Sequence, residues 1–112
     1  MSVGSSPAGV ISINHSVSDS LGWRGTKTPW YLRSYDGPLL VRGARLDGSG
    51  AIRFAKVDGQ HLRQLRFAAV ENNGVEGKWR FLASAPLFRA KGCYGFQIDG
   101  TTFSRVVVMR VT

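Results

Sequence analysis

Hydrophobic and polar positions alternate along most of this chain with a period of two, the repeat that sends successive side chains to opposite faces of a β-sheet. In "TPWYLRS" the apolar Trp30 and Leu32 alternate with Tyr31 and Arg33; in "AIRFAK" Ile52 and Phe54 flank Arg53. "QLRFAAV" sends Leu65, Phe67 and Ala69 one way and Arg66 the other, and "KWRFLAS" sets Trp79 and Phe81 against Lys78 and Arg80. No window carries a helical face. The pattern predicts about eight strands: 10–17, 29–34, 39–46, 51–57, 62–70, 78–84, 93–99 and 103–111. Strands this short, at this spacing, belong to sandwiches and barrels.

The aspartates punctuate that pattern. Four of the five sit in Asp-Gly pairs, at Asp36-Gly37, Asp47-Gly48, Asp58-Gly59 and Asp99-Gly100. Asp and Gly tolerate the positive φ of tight hairpin turns, so each pair predicts a chain reversal. "LLVRGARL" changes parity across Gly43, which predicts a bulge. "VVVM" is apolar on both parities, as expected for a strand covered on both sides or near the centre of a sheet. "SAPLFRAKG" contains a proline and small residues and reads as a crossover or edge segment.

The fold class expected is therefore all-β: one antiparallel β-sandwich over residues 10–112, with a Ser/Gly/Pro-rich flexible leader over 1–9, and a small β-barrel as the alternative. Its expected core is Ile13, Trp30, Leu32, Ile52, Phe54, Leu65, Phe67, Trp79, Phe81, Phe96, Val107 and Met109. At 43% hydrophobic and 20% charged residues, the composition suits one packed core.

"KGCYGFQIDGTTFSRVVVMRV" resembles the carboxy-terminal hairpin of immunoglobulin-like β-sandwiches, in which Gly-x-Tyr opens the penultimate strand and a Val-rich run forms the last. More narrowly it is similar to small bacterial domains, often exported, that end in a Gly-Cys-Tyr and Asp-Gly-x-x-Phe-Ser pattern. The resemblance covers about a fifth of the chain, lacks the paired cysteines of antibody domains and implies no catalytic residue. It implies an exported module, although "MSVGSSPAGV" has no basic-then-apolar signal layout and no run is long enough to span a bilayer.

Little points to catalysis. Cys93, the only cysteine, would need a base, and Lys91, His15 and His61 are the available neighbours; at the start of a strand it reads as a small buried hydrophobe. Once four aspartates are assigned to turns, Asp19, Glu71 and Glu76 remain, all in polar loops and too few for paired general acid and base work. No zinc spacing, nucleophile elbow or phosphate loop occurs, so no metal and no cofactor is expected. The chain reads as a non-catalytic binding or structural module.

Charge adds one feature. Fifteen Lys and Arg, eleven of them Arg, face seven acids, a formal net charge of +8. Arginine grips phosphate or carboxylate with two donors and stacks on rings. "GWRGTKTPWYLRSY" interleaves the candidate ligand residues Trp23, Arg24, Lys27, Tyr31, Arg33 and Tyr35, with Trp23, between two glycines, expected to be exposed. Two ligands suit them: a sugar or protein surface packed on the rings, or single-stranded nucleic acid stacked on rings with its phosphates on cations. Against a single basic surface, Arg33, Arg53, Arg66 and Arg80 fall one per strand, as solubilising outward charges would. A homodimer through a free sheet edge is a further expectation.

Overall fold

The computed structural model describes residues 2–3, 10–11, 13, 22–25, 27–56, 60–74 and 79–112. Among them it contains twelve strands and no helix: β1 (Ser2–Val3), β2 (Val10–Ile11), β3 (Arg24–Gly25), β4 (Trp30–Arg33), β5 (Leu39–Arg45), β6 (Ile52–Ala55), β7 (His61–Leu62), β8 (Leu65–Phe67), β9 (Trp79–Leu82), β10 (Ala85–Phe88), β11 (Gly92–Asp99) and β12 (Ser104–Val111). They form three open sheets, ordered β1-β4-β9, β3-β10-β6-β7 and β2-β12-β11-β5-β8. Every pair is antiparallel except β2 with β12. The fold is all-β and sandwich-like, and no sheet closes into a barrel among the described residues.

One core joins the three sheets, with Trp30 and Leu32 from the first, Ile52, Phe54 and Phe88 from the second, and Leu39, Val41, Tyr94, Phe96, Ile98 and Met109 from the third. Burying each such large side chain stabilises the fold by roughly 1.5–3 kcal/mol. Polar groups within it are satisfied: the Trp30 indole N–H donates to Ser84 Oγ (2.6 Å), whose hydroxyl donates to the Thr28 carbonyl (3.1 Å). The Tyr94 hydroxyl donates to the Ala90 carbonyl (2.7 Å) while its ring packs on Phe88.

Nine of the twelve expected core residues are buried: Ile13, Trp30, Leu32, Ile52, Phe54, Leu65, Phe67, Phe96 and Met109. Val107 and Phe81 are only partly covered, and the side chain of Trp79 lies outside the description. The exception that matters is β9, whose inward residues are Arg80 and Leu82 rather than Phe81. Arg80 is 5% exposed. Its guanidinium donates to the carbonyls of Glu71 (2.6 Å), Gly37 (2.7 Å), Ala68 (2.8 Å) and Tyr35 (3.3 Å). A cation is tolerated inside because four carbonyls from two loops replace its water. Those carbonyls lie far away in sequence, so the charge reads from sequence as outward.

The Asp-Gly pairs divide. Asp99-Gly100 opens a true hairpin: Asp99 pairs with Ser104, and the Gly100 N–H donates to the Phe103 carbonyl at 2.9 Å. Asp58-Gly59 lies outside the described residues, between two strands that do pair, β6 and β7. Asp36-Gly37 and Asp47-Gly48 are not hairpins, because β4 and β5, and likewise β5 and β6, belong to different sheets. They are corners. Among the described residues the positive φ values fall instead at Ser34, Val70, Gly22 and Gly50.

Other expectations fail for related reasons. The strand expected at 62–70 is a corner: Leu62 pairs with Phe54 in the four-stranded sheet and Leu65 with Val41 in the five-stranded one. The 85–88 segment is a paired strand, β10, lying between β3 and β6; β3 reaches only Leu87 and Phe88, so Pro86, which lacks an N–H, meets no demand on that side. No bulge occurs at Gly43, where β5 keeps unbroken register with β11. A Cβ there would lie 2.9 Å from Ile52 Cδ1, so the glycine lets two sheets approach. The Val-rich run is covered on one face only, with Val106 70% and Val108 51% exposed. Within the expected leader, Ser2–Val3 pair with β4; residues 4–9 and most of the strand expected at 10–17 lie outside the described residues.

Candidate functional site

The six candidate ligand residues do not form one site. Trp23 is not exposed: it is 5% accessible. The Arg89 guanidinium lies 4.3 Å and that of Arg53 5.6 Å from its ring, with the His61 ring edge-on at 6.3 Å. Arg24 and Lys27 are exposed, the former on β3 opposite Phe88. Tyr31 and Arg33 project from the outer side of β4, where Tyr31 meets Phe81 at 5.3 Å. Tyr35 is a fastener. Its hydroxyl donates to the Pro38 carbonyl (2.5 Å) and accepts from the Thr101 N–H (3.0 Å), and its ring packs edge-on against Phe103, holding the β11–β12 turn.

What the fold assembles instead is an arginine-rich outer face on the four-stranded sheet. Strand pairing puts Phe54 opposite Leu62 and Ala55 opposite His61, which brings Arg53 near Arg63 across the same hairpin. These two line an open cleft of ≈ 500 Å³ together with Arg45 and the loop Gly48–Ala51. Because Arg53 also lies over Trp23, cleft and covered indole are one surface. Of the charged lining residues all three are arginines.

The three arginines differ in freedom. Arg45 is tied down, donating to Asp47 Oδ1 (3.0 Å) and to the carbonyls of Ser49 (2.9 Å) and Lys91 (3.2 Å). The Cys93 backbone N–H, followed by Arg45, holds the Asp47 carboxyl below its ordinary range, so this acid stays charged beside the cleft. Arg53 spends one N–H on its neighbour's carbonyl, Ile52 O (2.8 Å). Arg63 is exposed in the turn between β7 and β8. The cleft can therefore take an anion on Arg53 and Arg63 while Arg45 shapes its wall.

Arg63 and Arg89 were not singled out from sequence, Arg53 reads there as one of the outward arginines, and His61 only as an available neighbour of Cys93. One signal was present: Arg53 and Arg63 stand symmetrically about Asp58, so a hairpin centred there sets them side by side.

Asp99 and Glu71 are engaged elsewhere. Asp99 accepts from the Ser104 hydroxyl (2.5 Å), the Gln97 amide (3.2 Å) and Arg42 (3.0 Å), which in that order hold its carboxyl below the usual range. Glu71 pairs with Lys56 at 3.6 Å. Burial pushes the Tyr94 phenol upward. Cys93 is on β11 as expected, but half-exposed rather than buried, because its parity is opposite that of Tyr94 and Phe96. His15, Asp19 and Glu76 lie outside the described residues. Among those described, no three His, Cys, Asp or Glu side chains gather as metal ligands, and no helix is long and apolar enough to cross a membrane.

No known family, curated protein or solved structure matches this chain.

Proposed function

We propose that this protein is a non-catalytic binding module that holds a phosphate-bearing strand, single-stranded nucleic acid, on the outer face of its four-stranded sheet. The observation that carries the reading is the continuity of Arg89, Trp23, Arg53 and Arg63 with a cleft whose charged lining is entirely arginine. Guanidinium groups take phosphate oxygens two at a time and stack on flat rings, and a net charge of +8 attracts a polyanion from a distance. Asp47, Glu71 and Asp99 are each held by arginine, lysine, hydroxyl or amide partners, which supports a surface that binds rather than reacts.

The alternative, an exported module that packs sugar rings or a protein on aromatics, has less support: Trp23 and Trp30 are both buried. Its architectural half keeps one supporting feature. The Tyr94 hydroxyl bonded to a carbonyl four residues upstream, near the start of the penultimate strand, is like the tyrosine corner of immunoglobulin-like sandwiches.

Titration of fluorescein-labelled oligo-dT at several salt concentrations tests the reading. Wild type is expected to bind with affinity that falls steeply with salt. The R53Q/R63Q/R89Q variant should bind more weakly, its log–log salt slope smaller by about 2, since each phosphate contact contributes about 0.7. No binding at low salt, or an unchanged slope in the variant, rejects it.

A further inference from the structure

The two stretches that break the simple alternation, "LLVRGARL" and "VVVM", meet on the outer face of the five-stranded sheet. On that face β12 contributes Val106 and Val108, β11 contributes Gly95 and Gln97, and β5 contributes Arg42 and Ala44. The pairings Gly95–Val108, Gly95–Ala44, Gln97–Val106 and Gln97–Arg42 set them in register. Leu46 closes one end through its N–H to the Cys93 carbonyl (2.8 Å). Four large hydrophobic side chains are exposed among the described residues, and three are here: Val106, Val108 and Leu46, at 70%, 51% and 57%. Between Leu46 and Val106 lies a trough of ≈ 290 Å³ floored by Gly43, Ala44, Gly95 and Phe96, with Val108 beside it across from Gly95. Gly95 and Ala44 are too short to cover their neighbours, so the apolar surface stays open.

Around this trough stand Arg42 and Arg110, with Arg66 opposite Leu40 at the sheet's far side; Asp99, already held by Arg42, is the one described acid on the face. An apolar centre with a basic rim fits an acidic partner. A second copy, itself at +8, brings like charge to that rim.

We infer that the outer face of the five-stranded sheet is a docking site for an acidic protein segment that seats apolar side chains among Leu46, Val106 and Val108, on a surface that meets the arginine cleft only at Gly43 and Ala44. Exposed aliphatic side chains clustered within a polar rim are the usual form of a protein-binding patch.

The test uses the full chain and three labelled synthetic peptides: one alternating glutamate with leucine and valine, one with serine replacing the apolar residues at the same charge, and one with lysine replacing glutamate. Wild type should bind the first at least tenfold more tightly than either other. V106T/V108T should erase the preference over the serine peptide, leaving that peptide's own affinity unchanged. Threonine keeps the shape and strand preference of valine, so the variant should fold. G95A should do the same by filling the trough, since the atoms nearest its Cβ would be the δ-carbons and Cγ of exposed Leu46, at 3.3, 3.4 and 3.5 Å. Equal affinity for the first two peptides, a preference that survives both variants, or no binding up to millimolar peptide overturns the inference. So does sedimentation as a dimer that V106T/V108T dissociates, which would assign the face to a second copy.

Discussion

On the outer side of the four-stranded sheet an indole lies beneath two guanidinium groups, whereas on the outer side of the five-stranded sheet three aliphatic side chains stand exposed. Both faces are built by the same alternation. They differ in the length of the neighbouring side chains. Arg53 and Arg89 have apolar stems long enough to lie across Trp23 with their charges still in water, so that face presents cation. Gly95 has nothing to lay over Val108, and Gln97, across from Val106, has its amide drawn along the strand to Asp99, so the other presents hydrocarbon. Whether a non-polar group on a sheet becomes structure or surface thus depends on the residue across the ladder as much as on its own kind.

The largest perturbation lies on neither face but at the buried cation of β9. Arg80→Met leaves four buried or partly buried carbonyls without their donor and should destabilise the protein by roughly 3 kcal/mol, read from the urea midpoint. An unchanged midpoint would mean that water replaces the guanidinium. Gly43→Ala acts between the sheets, where the new methyl would press on Ile52 and Phe54, and should cost roughly 1–3 kcal/mol. It should disturb the cleft and the trough together, since Gly43 lines both.

The smallest effects separate the faces by charge, because each has one aspartate–arginine pair beside it, Asp47 with Arg45 and Asp99 with Arg42. Folding holds both carboxyls in the charged form, so their stabilisation is in place above the unfolded value, about 3.9, and is lost as pH falls through the folded one. Asp47→Asn and Asp99→Asn should each be less stable than wild type at pH 7 and equal to it near pH 2. Only Asp47→Asn, which releases Arg45 at the cleft, should raise oligo-dT affinity, by about two- to fivefold at low salt. Equal gains from both variants would show that net charge, not the cleft, governs binding.

Much of the fold was legible from local pattern. Trp30 and Leu32, Ile52 and Phe54, and Leu65 and Phe67 alternate inward as their spacing implies, because strand period is a property of the backbone. The β11–β12 hairpin was legible for the same reason, its contacts being close in sequence. Less of the candidate site could be read. Trp23 was expected to be exposed in its loop, but Arg53 and Arg89, which come from β6 and from the end of β10, cover the indole. Asp36-Gly37 and Asp47-Gly48 mark turns correctly but not which sheet the next strand joins.

What the chain by itself determined is the type of its elements, their approximate bounds, nine of its core residues and an excess of arginine. Those follow from steric preference, period and charge, which act over a few neighbouring residues. Tertiary structure alone decided that Arg80 points inward, that Trp23 is roofed by arginine and that two apparent faults in the alternation share one exposed face. Each depends on a partner tens of residues away, and a side chain's environment is set by whatever the fold brings against it.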